Sequence, residues 1–427
     1  MLNLIKKTLL SKDFIEKNKT EPEAFTRKGK LTFSLLFHLL ANFRSRSMQS
    51  ELNEFMEHCA PDERSIQTMD ASTVFKARLK LAPLAYVEMN LKCLELFRTQ
   101  GPMKRWNGFQ LIDLDGSTLR LPNTGDILDS FSPHTNAQGD PVGPPLARLS
   151  LLYDPLNQLC LSCSLDPMEM GEISQMPEHS WKLESGQLLI ADRNYDAFWF
   201  FVWLMKKGCD FCIRLKINQR HLVREFVKQG LKEQIVEMIP GRSAKKKCRQ
   251  RDLPVLPIKL RLIRVDLPNG EVEVLATSVL DSEKIPADQF GPLYQLRWPV
   301  EEKFKQLKFR VNLENWSGKS AMTIFQDVYA KLWSCNLTVW LSEEAERKIE
   351  KDNENRQYDH QINWANAFAS MKRWVVKLLC GPFIEECLER LTILFLTDLS
   401  PIRPNRKYPR NHKKYQREFF MNYKPCT

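Results

Sequence analysis

Apolar residues recur every three or four positions through the first part of the chain. They do so in Leu31–Phe43 (LTFSLLFHLLANF), Met48–Cys59 and Thr73–Leu81, with Pro61 and Pro83 as punctuation, which predicts helices over residues 1–108. The texture changes at Phe109. FQLIDLDG, ARLSLLYDP, QLCLSCSLD, GQLLIADR and DFCIRLK are short apolar runs bounded by Gly, Pro, Asp or Asn, as strands are. AFWFFVWLMKKG, between the fourth and fifth, reads as a buried helix. Three consecutive strands followed by helix–strand alternation predict an α/β (α+β) fold, a mixed sheet covered by helices. Beyond Asn218 the pattern loosens until EVEVLATSVL, another strand. After Glu343 it is helical and charged, then apolar through Trp374–Leu396. The expected organisation is a helical N-terminal domain (1–108), a sheet-containing core (109–342) and a helical C-terminal region (343–427).

Composition adds a class of partner only through charge. The 427 residues are 43% hydrophobic and 27% charged, enough to bury a sizeable core. A formal net charge of +11 favours a polyanion, because each Lys or Arg on a phosphate releases condensed counterions. Three segments concentrate that charge. STVFKARLKLAP sets Lys76, Arg78 and Lys80 beside an apolar stripe, either a DNA-reading helix or a solvated helix face. Arg242–Arg251 carries six basic residues in ten, a solvated loop or a phosphate-contacting hairpin. The tail from Arg403 to Arg417 has seven Lys/Arg and no acid, suited to a nucleic-acid backbone or to keeping the chain in solution. No apolar run is long enough to span a membrane, and MLNLIKKTLLSKDF lacks the uninterrupted apolar stretch of a secretory leader. Eleven cysteines, an odd number spread over the chain, argue against a disulfide framework and for a cytoplasmic location. The pairs Cys160/Cys163 and Cys209/Cys212 lie in strand-like runs, where residues three apart face opposite ways, so they read as structural thiols and not a zinc site.

The richest stretch is Leu293–Arg310, LYQLRWPVEEKFKQLKFR. On an ideal helix, Leu293, Leu296, Val300, Phe304 and Leu307 fall within about 80° and predict a buried stripe. Tyr294, Arg297, Glu301 and Lys308 fall within an adjoining arc of about 60°. Pro299 qualifies this, since a proline breaks a helical hydrogen bond and the helix can instead begin there. Two more carboxylates stand where strands are expected to stop: Asp115 before Gly116 in FQLIDLDG, and Asp192 at the end of GQLLIAD. A carboxylate at a buried strand end is costly unless paired or coordinated. Three carboxylates of this kind can hold two hard divalent cations through oxygen, the arrangement that clamps both oxygens of an in-line phosphoryl displacement.

Taken together, these motifs resemble the DDE transposases of bacterial cut-and-paste insertion sequences, of the insertion-sequence-four type. Tyr294, Arg297, Glu301 and Lys308 match that family's Tyr-x2-Arg-x3-Glu-x6-Lys signature without a gap. LIDLDGSTLRLP resembles its first-aspartate motif and LLIADRNYD its second; ARLSLLYDPLNQL and FTRKGKLTFSLLFHLL are also similar. The resemblance covers roughly residues 24–340. It implies a ribonuclease H-like catalytic core with a β-rich insertion at about 218–285. It implies Asp115, Asp192 and Glu301 as catalytic metal ligands, with Asp113 in a supporting place. Tyr294, Arg297 and Lys308 would contact DNA. Two divalent ions per site are implied, Mg²⁺ with Mn²⁺ as a substitute. The implied partners are double-stranded DNA, as terminal inverted repeats and target, and a second copy of the chain in a homodimeric synaptic complex, with no membrane and a place beside the bacterial nucleoid. Where the family usually has Gly in the second motif this chain has Asn194, a tolerable substitute at a left-handed position. Trp298 and Trp316 lie near the signature, but neither can be assigned to stacking on a flipped base. A nuclease of the same fold and a catalytically silent DNA-binding repressor are the alternatives.

Overall fold

The strand-like runs pair into one eight-stranded sheet in the computed structural model, which describes residues 1–26, 29–42, 46–59, 68–135, 138–381 and 383–403. Phe43, Pro61, Arg27 and Lys28 of the N-terminal motifs, and the basic tail beyond Arg403, lie outside the described residues. The strands are β1 (Gln110–Arg120), β2 (Leu146–Asp154), β3 (Leu159–Pro167), β4 (Gln187–Ala191), β5 (Asp210–Arg214), β6 (Glu233–Met238), β7 (Ile258–Asp266) and β8 (Val272–Thr277). Their order is β3-β2-β1-β4-β5-β8-β7-β6. β1, β4 and β5 run parallel, and β2 pairs antiparallel with β3. This is the mixed sheet expected of a ribonuclease H-like core. The insertion takes a particular form: β8, β7 and β6 continue the same sheet antiparallel from β5.

Two of those insertion strands escaped the sequence reading for a physical reason. β7 is interrupted by Lys259, Arg261 and Arg264, and Arg261 is itself buried through an ion pair with Glu233 of β6. β6 is the edge strand and leaves most of its residues at least partly exposed. A further departure is Arg242–Arg249, which is neither loop nor hairpin but a helix, α10 in chain order. Ala, Lys and Arg are good helix formers, and Cys248 anchors it as its one buried residue. Its lysines remain exposed.

The chain forms two compact units, one of residues 100–119 and 147–304, the other of 1–99, 120–146 and 305–427. In the first, period-two alternation sorts side chains onto two sheet faces. Leu111, Leu188, Ile190, Cys212, Ile263 and Leu275 form a core with Phe290 and Leu293 of α11 (Phe290–Gln295). The opposite face is covered by α8 (Phe198–Lys206), whose Phe201 stacks on Phe211 with ring centroids 5.2 Å apart. Each such fully buried side chain stabilises by about 1.5–3 kcal/mol.

The second unit is helical and is built around α13 (Ala321–Asn353). The N-terminal periodic segments appear in it as α3 (Phe33–Ala41), α4 (Met48–Cys59) and α5 (Ala71–Arg78). Arg78 does not face outward with Lys76 and Lys80: it is 1% exposed. It donates to Gln326 Oε1 (2.9 Å), Ser317 Oγ (2.8 Å), the Thr323 carbonyl (3.2 Å) and Asp327 Oδ1 (3.1 Å). One of the three cations proposed for a DNA-reading helix is therefore a structural cross-link. Among the described residues, no helix is long and apolar enough to cross a membrane.

Candidate active site

The site is set by where β1 stops pairing with β4. Their parallel register runs from Gln110↔Gln187 to Leu114↔Ala191, so Asp115 and Asp192 are the next residue on each strand. Contrary to the sequence reading, β1 does not end at Asp115; it runs through Gly116 to Arg120. Only its pairing with β4 ends there. Gly116 serves a close approach instead of a turn, since an added Cβ would lie 3.2 Å from Glu172 Oε1. Asp192 does end its strand and caps the short 3₁₀ turn Arg193–Tyr195, accepting from the Asn194 N–H at 2.8 Å. Asn194 is not left-handed, so the glycine usual there supplies nothing this backbone needs. Period two also puts Asp113, Asp115 and Asp192 on the sheet face of Leu111, Leu188 and Ile190, the face that α11 covers.

The third carboxylate arrives from α12 (Trp298–Lys305). Of the two readings of Leu293–Arg310, one continuous helix or a helix beginning near Pro299, the second holds, and the stretch is three segments. α11 closes with i→i+3 bonds from Leu296 to Leu293 and from Arg297 to Tyr294, because Pro299 cannot continue the hydrogen-bond ladder. After α12 the backbone widens into a π-helical turn, Gln306–Arg310, sealed by the Val311 N–H on the Gln306 carbonyl at 3.0 Å. An ideal-helix projection therefore does not give Lys308's direction, and Lys308 belongs to the helical unit. Glu301, Arg297 and Tyr294 belong to the sheet unit with both aspartates.

Arg297 ties this group together. Its guanidinium donates to Glu301 Oε1 at 2.6 Å and lies 3.7 Å from Asp115 Oδ2. Its Cζ is 6.0 Å from the ring centres of both Tyr294 and Trp298. The Asp115 carboxyl is raised to about 6, chiefly by burial and further by Asp192 and Glu301, against the Gly116 N–H and Arg297. Asp113 is sealed from solvent and neither of its oxygens has a hydrogen-bond partner. Burial holds it well above the usual carboxylate range, Arg297 opposes, and Asp154 and Asp115 reinforce. Of the two β1 aspartates, only Asp115 is open to a solvent-borne group.

Sequence reasoning missed two features. Tyr195 is fully buried with its hydroxyl unpartnered, and the charges of Glu172, Asp115 and Asp192 act on it. A cavity of roughly 500 Å³ is lined by Arg193, Asn194, Arg214, Lys216 and Glu273, with Arg214 paired to Glu273 at 2.6 Å. The signal was present in DRNYD and CIRLK, where polar residues immediately follow buried strands.

Residues 106–337, more than half of the chain, match the transposase DDE domain family. The chain belongs to the DDE-domain transposases. A relative, "Transposase InsG for insertion sequence element IS4" of Escherichia coli (strain K12), is 24% identical over 272 residues, 62% of this chain and 60% of that protein. The match thus spans less than two thirds of the relative's own length. Among solved structures, the piggyBac transposase synaptic complex with hairpin DNA aligns with 93% of this chain and 85% of that one. At a TM-score of 0.44 and 8% identity, that likeness carries no weight for the chemistry. Membership in the DDE transposases implies the use of divalent metal ions. The donor set fits such ions in kind, since three carboxylates offer the all-oxygen ligation that hard cations take. Among the described residues no group of three or more His, Cys, Asp or Glu is gathered closely enough to hold one as the side chains stand.

Proposed function

We propose that this DDE transposase cleaves transposon ends and joins their 3′-hydroxyls to target DNA. The observation that carries the reading is the register of β1 on β4. It delivers Asp115 and Asp192 side by side, with Glu301 reached from α12 through one shared arginine. In this reading Asp115, Asp192 and Glu301 would hold two divalent ions, Mg²⁺ or in its place Mn²⁺. Such ions supply Lewis-acid activation of the attacking oxygen and stabilisation of the leaving one.

The chain's own residues do the rest. Asp113 and the Leu111–Ile190 face form a dry, rigid floor that keeps Asp115 and Asp192 from turning away. Arg297, flanked by Tyr294 and Trp298, carries a charge suited to a phosphodiester oxygen, as do Lys308 and the basic lining of the Arg193–Lys216 cavity. Tyr294 sits half-buried at the edge of the core, its hydroxyl held protonated by burial, and so can donate to a phosphate. The partner is double-stranded DNA, both terminal inverted repeats and target. Two ends processed together call for two copies of the chain, working at the bacterial nucleoid.

A plasmid carrying the element's own ends, incubated with the full-length protein, Mg²⁺ and a supercoiled target, tests this. Joined products that disappear in Glu301→Gln while end binding persists are expected. Ends that are cut but never joined would make the chain a nuclease of the same fold. Ends bound but never cut, by wild type and Glu301→Gln alike, would make it a repressor.

A further inference from the structure

The helical unit contains a thiol pair that the proposed chemistry does not use. Cys59 is the last residue of α4 and Cys380 the last of α14 (Trp364–Cys380). Both are free and half-buried, and their side chains are hydrogen-bonded to each other. Their meeting is fixed by the way the two helices pack. Glu51, 1% exposed, accepts from Lys372 Nζ at 2.9 Å. The cysteines follow about two turns further along each helix, from Glu51 to Cys59 and from Lys372 to Cys380. Two contacts at matching offsets mean that α4 and α14 run in the same direction and in register, with one pinned at the ion pair and the other at the sulfurs.

The surroundings of the two sulfurs differ. Lys6 Nζ donates to the Gly381 carbonyl at 3.4 Å, which sets a positive charge beside Cys380. The hydrogen bond from Cys59 and the charge of Lys6 lower the Cys380 thiol against its burial. The bond to Cys380 and burial raise Cys59. A cation beside one sulfur of a pair marks that sulfur, Cys380, as the attacking thiol and leaves Cys59 to resolve. His58, beside Cys59, is depressed by burial and by Lys377, so it adds no cation to stabilise a Cys59 thiolate.

We propose that Cys59 and Cys380 form a reversible disulfide, a redox modification site for low-molecular-weight disulfides such as oxidised glutathione. The Cys380 thiolate attacks one sulfur of the small disulfide, forming a mixed disulfide and expelling one thiolate. Cys59, losing its proton to solvent, then attacks Cys380 Sγ and expels the second thiol. The protein is oxidised by two electrons and the small disulfide is reduced to two thiols. The resulting bond staples α4 to α14 across most of the chain's length.

The test uses reduced full-length protein incubated with oxidised glutathione, quenched with acid, alkylated and mapped by mass spectrometry. The expected result is a linked peptide joining Cys59 to Cys380 and the loss of two alkylatable thiols from the eleven. Cys59→Ser should stall at a glutathione adduct on Cys380, formed at least about tenfold faster than any on half-buried Cys163. Far-UV circular dichroism matching wild type shows that this variant has folded. An unresolved adduct on Cys380 in wild type, cross-links to other cysteines, or no kinetic preference for Cys380 in folded Cys59→Ser would each overturn the proposal.

Discussion

The helical unit and the candidate active site of the sheet unit treat their buried charges in opposite ways. In the helical unit each prominent buried ion is answered: Arg78 by Asp327, Gln326 and Ser317, Lys331 by the carbonyls of Asn312, Leu313 and Asn315, Glu51 by Lys372. At the candidate active site of the sheet unit the carboxylates are crowded and under-answered, although elsewhere in that unit Asp196 is answered by Arg220 and Asp154 by Gln110 and Asn157. One guanidinium serves both Asp115 and Glu301, and Asp113 has no partner at all. A fully partnered buried charge is structural cross-linking; a cluster short of positive charge keeps its affinity for cations that arrive from outside.

The sharpest way to break that contrast is to strand a charge in the helical unit. Arg78→Met should lower the urea-unfolding free energy by about 3–5 kcal/mol, and adding Asp327→Leu should restore much of it. A cost below about 1 kcal/mol would mean that the network is no cross-link.

Glu301→Gln carries the opposite expectation. End joining should fall by at least about 10²-fold, while the urea midpoint holds or rises because crowded negative charge is relieved. A fall in stability matching the fall in activity would place Glu301 with the structural charges.

A pH titration sharpens the same point. The Asp115 carboxyl is raised to about 6, so it keeps its proton to higher pH than an ordinary aspartate. Mn²⁺ affinity, followed by calorimetry, should climb about tenfold per pH unit up to about 6 and then level off, because the ion competes with that proton. The same shift favours the folded state below the ordinary value of 3.8 and loses that contribution as pH rises through about 6. Asp115→Asn should flatten both dependences.

The smallest effect is expected at Asp113. Asp113→Asn replaces an unpartnered acid, whose charged form burial disfavours, with a group of the same shape, so stability should change by no more than about 1 kcal/mol. A larger loss would reveal a charge at Asp113 that something nearby is answering.

How far the sequence led depended on whether a single periodicity governed the segment. Strand runs such as GQLLIAD and DFCIRLK are buried on both faces and were unmistakable. β7 hid behind Arg261, whose burial depends on Glu233 in another strand. The carboxylates were found because strand ends and a spaced signature are local properties. In Leu293–Arg310 the break at Pro299 was legible, because proline's missing N–H is a local property, whereas the π-helical turn that redirects Lys308 was not. Arg78 was misread for a related reason: its partners, Ser317 to Asp327, lie far along the chain, and nothing near it announces them. Tyr195 and Asp113 likewise owe their isolation to the packed sheet.

One consequence follows from the pairing of Leu114 with Ala191. Adjacent strands lie about 4.8 Å apart, so the gap between the two aspartates is set by backbone hydrogen bonds and not by any loop. Loops elsewhere in the unit can lengthen or shorten while this ruler stays fixed. Its weakness is register. A slip of β1 by one residue would swing Asp113 and Asp115 to the face that α8 covers and bring Leu114 and Gly116 round beneath Arg297. Every side chain would still be present, yet the ion-binding pair would be gone.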